Sequence, residues 1–157
     1  MPLLTLDEAQ AIYGPVDLLR KFWADESKHM INVQLPKDLC FPNWRNSITG
    51  QPITHLYCNI DMAGPLMDAL TSLERKGFSL ELKTFDGILN LRPVRGYTSR
   101  LSTHCYGLAI DINAKENPLG GPVALSEGFI KCFTDVGFLH GGSFARVDGQ
   151  HFQWANW

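Results

Sequence analysis

Two short stretches of the chain carry side chains able to hold a metal ion and move a proton. They are Ser102-Thr103-His104-Cys105-Tyr106-Gly107-Leu108-Ala109-Ile110-Asp111 and Asp148-Gly149-Gln150-His151-Phe152-Gln153-Trp154. Each joins an imidazole to a carboxylate. Zinc takes histidine nitrogen at about 2.0–2.1 Å and carboxylate oxygen at about 2.0–2.2 Å, and its catalytic sites keep three protein ligands plus one open position. His104, Asp111 and His151 would supply that set. Asp148 precedes His151 by three residues with Gly149 between. It can therefore bend towards an activated water without itself ligating, which is a general-base position. Arg92 and Arg95 lie just upstream of the first stretch. Either guanidinium could polarise a carbonyl or hold an oxyanion or a substrate carboxylate, and Arg92 is preferred.

Taken singly, each residue has a plainer reading. A lone buried histidine is more often a satisfied core residue, Asp111 could be a paired structural acid, and Asp148-Gly149 reads as an ordinary turn. The metal reading gains because all of these coincide. His29 and His55 have no such company and read as surface or core residues, while His140 beside Gly141-Gly142 could border a cleft. Cys105 would make the ligand set one thiolate too rich, so it reads as a small buried hydrophobe. Tyr106 and Trp154 read as packing.

The offset of seven between His104 and Asp111 puts them on opposite faces of any continuous strand, because strand side chains alternate. Gly107 resolves this by allowing a sharp turn, so that His104 sits on a loop folded back over a strand bearing Asp111. That strand is Gly107 to Ile112, apolar except for its acid. His151 must arrive from a neighbouring strand within 147–154, with His151 and Gln153 on one face and Phe152 and Trp154 anchored in the core.

Elsewhere, 5–23 reads as helix, capped by Thr5 with Glu8 in a capping box and striped by Leu6, Ala9, Ile12 and Tyr13. Gly14-Pro15 interrupts it, and a second helix is expected from Pro15 with Val16, Leu19, Phe22 and Trp23 on one face. Residues 32–54 read as irregular with one short strand. A helix is expected over 63–76, ended by Gly77. Alternation over 78–84 and the turn Asp86-Gly87 predict a hairpin or bent strand pair reaching Leu91. After a loop at 117–122, a helix is expected over 123–136 with Leu125, Phe129, Cys132 and Phe133 inward. Irregular alternation of helices and strands favours α+β over a doubly wound sheet.

At 157 residues, 45% apolar and 19% charged, the chain can bury its own core. Fourteen Lys plus Arg against sixteen Asp plus Glu give a net charge of -2, which provides no counterion-release drive towards nucleic acid. No apolar run approaches the roughly 18–20 residues of a spanning helix, so no membrane insertion is expected. The first residues, MPLLTLDEAQ, lack the basic and apolar regions of a secretory signal, so synthesis in a reducing cytoplasm is the expectation. Cys40, Cys58, Cys105 and Cys132 accordingly read as free thiols, with a Cys40–Cys58 disulfide as the minority reading.

The motif S-x-H-x-x-G-x-A-x-D at 102–111, followed about forty residues later by D-x-x-H-F at 148–152, resembles the zinc peptidases that include D-alanyl-D-alanine carboxypeptidases and the L-alanyl-D-glutamate endopeptidases of phage endolysins. Thr84-Phe85-Asp86-Gly87, Arg92-Pro93-Val94-Arg95-Gly96 and Gly141-Gly142-Ser143-Phe144 share the likeness, which spans roughly 62–157. It implies a Hedgehog/DD-peptidase-like α+β fold with a small antiparallel sheet lining a zinc cleft. It also implies His104, Asp111 and His151 as zinc ligands, Asp148 as catalytic acid/base, and Arg92 facing the substrate carbonyl.

The resulting expectation is a single zinc peptidase domain over 1–157, with 1–61 as an extension packed on the motif-bearing 62–157. It would be a monomeric metallopeptidase that hydrolyses an amide in the peptidoglycan stem peptide. An endolysin made in the host cytoplasm and acting on the cell wall is the leading version. A D-Ala-D-Ala carboxypeptidase or dipeptidase is the enzymatic alternative, and a non-catalytic peptidoglycan-binding or virion structural module is the other.

Overall fold

A computed structural model describes residues 2–157. Helix α1 (Leu6–Tyr13) begins at Thr5, whose hydroxyl accepts from the Glu8 amide while Glu8 accepts from the Thr5 amide, completing the capping box. Ala9 and Tyr13 are buried, whereas Ile12 faces out at 51% exposure. The helix expected from Pro15 is not formed. Strands β1 (Val16–Asp17) and β2 (Phe22–Trp23) pair there as a small hairpin, with Lys21 at φ 50° and the Arg20 amide bonded to the Asp17 carboxylate. The supposed apolar face dissolves with it, since Leu19 and Phe22 point to solvent and only Trp23 is buried. The turn geometry satisfies locally the backbone groups that a helix would have used.

A short helix α2 (Glu26–His29) leads into β3 (Met30–Gln34). Two-residue β4 (Arg45–Asn46) follows, then β5 (His55–Asn59), which pairs antiparallel with β3. Helix α3 (Ile60–Arg75) is capped by Asn59 and starts three residues earlier than the apolar spacing suggests. It buries Met62, Leu66, Ala69, Leu70 and Leu73, and Gly77 follows it at φ 82°.

The strand expected over 78–84 is replaced by a 3-10 turn at Ser79–Glu81, and Leu80 is exposed. Side chains divert this backbone from a ladder. Asn113 accepts from the Lys83 and Thr84 amides and donates to the Glu81 carbonyl, while the Glu81 carboxylate caps Ser126. What remains is β6 (Thr84–Gly87), and no strand continues to Leu91. A second 3-10 turn (Thr103–Tyr106) precedes β7 (Ala109–Ile112). Helix α4 (Glu127–Thr134), shorter than the expected 123–136, buries Phe129, Cys132 and Phe133 and packs on α3. Strand β8 (Leu139–His140), a 3-10 turn at Gly141–Ser143 and β9 (His151–Gln153) complete the chain.

The main sheet runs β4-β6-β7-β9-β8, antiparallel except for the β4·β6 pair, so the architecture is α+β. Phe152 of β9 stacks on Phe133 at 4.2 Å and on His140 at 4.5 Å between ring centroids, which fixes one face of β9 in the core and leaves the other for His151 and Gln153. The first sixty residues join the same core through Ala9, Tyr13, Trp23, Met30, Trp44 and Leu56. All four cysteines are free thiols. Cys40 is exposed and the other three are buried, with burial pushing Cys58 up to about 11.

Candidate metal centre

Asp111 and His151 face each other in register across β7 and β9, and directly opposed residues on one sheet face stand close enough to interact. His104 reaches the same point from the 3-10 turn. Ser102 caps that turn and Gly107 ends it at φ 65°. A Cβ at Gly107 would stand 2.6 Å from Met30 Sδ and 3.1 Å from the Asn59 nitrogen, so both the turn's handedness and its close approach require glycine. The N-terminal segment braces this turn. The Asn59 amide donates to the Gly107 carbonyl at 3.1 Å, the Asn59 side chain donates to the Tyr106 carbonyl at 2.9 Å, and the Tyr106 hydroxyl donates to the Gly14 carbonyl at 2.6 Å.

The three tips converge. His104 Nε2 stands 3.2 Å from Asp111 Oδ2, His151 Nδ1 stands 3.0 Å from Asp111 Oδ1, and the two ring nitrogens are 3.2 Å apart, all of them buried. Their outer atoms fix which nitrogens carry protons. His104 Nδ1 lies 2.7 Å from the Ile88 carbonyl, which can only accept, so Nδ1 donates and Nε2 presents a lone pair. Gln153 Nε2 donates to the carbonyls of Ala155 and Trp157, which turns its Oε1 towards His151 Nε2 at 2.8 Å and makes that nitrogen the donor. His151 Nδ1 therefore also faces inward with a lone pair. Two imidazole lone pairs and a carboxylate around one point need a positive charge between them, supplied by a bound cation or by an added proton. The two ring nitrogens stand 3.2 Å apart, close to the about 3.3 Å between ligand atoms of tetrahedral zinc, and each faces an oxygen of Asp111, so the donor set suits zinc.

The electrostatics agree. Burial alone would raise the Asp111 carboxyl, yet the charges and hydrogen bonds of His104 and His151 outweigh it and hold Asp111 far below the usual carboxylate range. Burial would lower His151, but the Asp111 hydrogen bond and charge reverse this and raise it.

Asp148 lines the cavity that also exposes these ligands, a cleft of about 510 Å³. Its Oδ1 is buried with no hydrogen-bond partner, and burial followed by the Asp111 charge raises its pKa. Its backbone is pinned because the Asp148 amide donates to the Gly141 carbonyl at 2.9 Å, and a Cβ at Gly141 would collide with the Asp148 carbonyl. Arg92 borders this cleft and a second cavity of about 190 Å³ that shares lining residues with it, and its Nη1 donates to the Pro93 carbonyl at 3.1 Å. Arg95 borders both cavities too.

The other candidates fall outside the centre. His140 Nε2 donates to the Gly149 carbonyl at 2.8 Å, so it supports the loop bearing Asp148, and burial lowers its pKa. His29 stacks on Trp23, and His55 is exposed. The Cys105 thiol donates to the Arg92 carbonyl at 3.0 Å and is raised by burial, in keeping with a buried small side chain. Gln153, hydrogen-bonded to His151, is the neighbour of the centre that the motifs alone do not reveal. Its signal was a polar side chain on the same strand face as His151, two residues on.

Residues 95–154 match the model of a family described as D-alanyl-D-alanine carboxypeptidase. The resemblance carried by the two motifs holds over this segment, which includes His104, Asp111, Asp148 and His151. It is narrower than 62–157 and stops short of Arg92. No curated protein and no solved structure matches the chain significantly.

Proposed function

We propose that the protein is a zinc metallopeptidase that hydrolyses an amide bond in the peptide stem of peptidoglycan. The observation that carries this reading is the inward-facing lone pairs of His104 and His151 around the Asp111 carboxylate, with the unpartnered Asp148 oxygen in the adjoining cleft. His104, Asp111 and His151 would hold the ion. When bound, zinc supplies Lewis acidity, polarising a carbonyl and making water a nucleophile near neutral pH. Asp148 takes the proton of the attacking water and returns it to the departing amine nitrogen, so the carboxylate is regenerated with each turnover. Arg92 holds the carbonyl oxygen as negative charge develops there.

The description of the matched family favours removal of a terminal D-Ala. Cleavage between L-Ala and D-Glu by a phage lysis enzyme, made in the host cytoplasm and acting on the wall, is the other proposal, and the two-motif resemblance supports it. A Hedgehog/DD-peptidase-like fold, one domain spanning 1–157 and a monomeric state belong to the same reading.

Zinc content and mass spectrometry of muropeptides released from sacculi test it together. About one zinc per chain and a new product mass are expected: loss of one D-Ala for the carboxypeptidase, or a free D-Glu amine for the endopeptidase. Zinc-loaded protein that binds sacculi without releasing either product would leave only a binding or structural module.

A further inference from the structure

The stretch that matches the family ends at residue 154, yet residues 155–157 are bonded to both halves of the centre. On the His151 side, the main-chain carbonyls of Ala155 and Trp157 accept from Gln153 Nε2 at 2.8 and 3.1 Å, and Gln153 in turn accepts from His151. On the His104 side, Trp157 Nε1 donates to the Leu101 carbonyl at 3.1 Å, one residue before the Ser102 cap of the turn. The Trp157 ring also meets the Tyr106 ring of that turn edge-on, at 6.3 Å between centroids and 81° between planes. One side chain thus spans 56 positions of sequence to touch the element that carries His104, while its own carbonyl holds the partner of His151.

Other links between these elements are weaker or lie elsewhere. The Trp154 amide donates to the Leu108 carbonyl at 2.7 Å, but Leu108 lies beyond Gly107, where the turn ends. The Thr103 hydroxyl stands 3.5 Å from both His151 Nε2 and Gln153 Oε1, at the limit of a hydrogen bond. The two imidazoles face each other with lone pairs, so they do not hold the elements together until an ion or a proton lies between them. Ligand side chains need to be held within about 0.5 Å of their working geometry. Among the described residues, the Trp157–Leu101 bond is the one direct hydrogen bond of ordinary length between 101–106 and 151–157 that does not involve the ligand nitrogens. Leu101 and Trp157 both line the 510 Å³ cleft, so this link stands beside the centre.

We propose that Trp157 is a positioning residue of the metal centre, joining the turn that carries His104 to the strand that carries His151 and so fixing the spacing of the two imidazoles. This rests on the reading of His104, Asp111 and His151 as ligands, and adds to it a residue outside the family segment. Tryptophan suits the role because its ring fills space against Tyr106 while its N–H reaches a main-chain acceptor on the same turn. Phenylalanine can supply the first contact but not the second.

The test compares the full chain with Trp157→Ala, Trp157→Phe and Leu70→Val, the last a core change in α3, which packs on α4, β3 and β5. Zinc affinity is measured by competition with a chelator, and the visible absorption of the Co²⁺-loaded protein reports ligand geometry, which a loss of stability alone does not move. Trp157→Ala should weaken zinc about tenfold and alter the cobalt spectrum, and Trp157→Phe should weaken it about threefold, since it keeps the ring contact and loses only the N–H. Leu70→Val should lower the urea midpoint and leave both metal readouts at the parent values. Trp157 variants that match the parent in zinc affinity and cobalt spectrum overturn the proposal, as does a Leu70→Val loss of zinc affinity as large as that of Trp157→Phe. If Trp157→Ala does not fold, Trp157→Phe decides alone. A parent protein that takes up neither ion sinks the ligand assignment and this proposal with it, whereas parent-like metal binding by the Trp157 variants sinks the proposal alone.

Discussion

The two imidazoles of the centre meet at one point but are held by different means. His104 rides on a turn, its outer nitrogen bonded to a main-chain carbonyl at Ile88 and its backbone braced by Asn59 and Tyr106. His151 rides on a sheet strand, clamped beneath by Phe152, and its outer nitrogen is bonded to the Gln153 side chain. No single side-chain replacement removes the Ile88 carbonyl, whereas one substitution removes the Gln153 oxygen. Outer partners of this kind set ring orientation and tautomer and tune the metal. The centre should therefore be robust on the His104 side and adjustable on the His151 side.

The largest effect is expected where both halves share a group. Asp111→Asn removes the charge that both rings face, and dialysed protein should lose its zinc and all peptidase activity, as read by metal analysis. Asp148→Asn should instead keep zinc at about one per chain while lowering kcat/KM by about 10²–10⁴-fold, the usual contribution of a general base. A variant that retains the parent rate would dismiss Asp148 from that role.

Gln153→Leu sharpens the comparison directly. Zinc affinity should fall about 10–100-fold in competition with a chelator. Tyr106→Phe, which loosens only the brace behind His104, should cost about 1 kcal/mol in denaturant unfolding and leave zinc affinity within a few fold. If the two variants weakened zinc equally, the asymmetry would be wrong.

A further contrast lies in pH. In metal-free protein the raised His151 contributes stability that is fully present below its unfolded pKa and disappears as pH climbs through the folded one. The lowered Asp111 contributes above its unfolded pKa and is lost as pH falls through the folded one. Metal-free protein should thus show a stability maximum between these limits in urea melts. Zinc should abolish the alkaline decline, and its affinity should weaken as acid protonates His151, starting above the usual histidine pKa of about 6.5.

The site was more legible than its scaffold. Residue types and the odd offset across Gly107 were enough to demand a turn folded over a strand, and the structure has that turn. The alternation Phe78, Leu80, Leu82 misled because Asn113, thirty residues away in sequence, takes up the local amides, and no local pattern announces such a distant claim. The apolar spacing at Val16, Leu19 and Phe22 misled for a different reason. Turn chemistry at Asp17 and Lys21 replaces the helix and leaves Leu19 and Phe22 exposed. Gln153 could be placed on the correct strand face, but its partners at Ala155 and Trp157 could not be foreseen.

The bracing of the His104 turn by Asn59, Met30 and Gly14 has a practical consequence for anyone trimming the gene. A fragment beginning at residue 62 would carry every group assigned to the chemistry and still make a poor enzyme. Two main-chain oxygens would lose their donors, and a glycine hinge would lose the sulfur it leans on. The minimal working piece is longer than the part that looks like a peptidase.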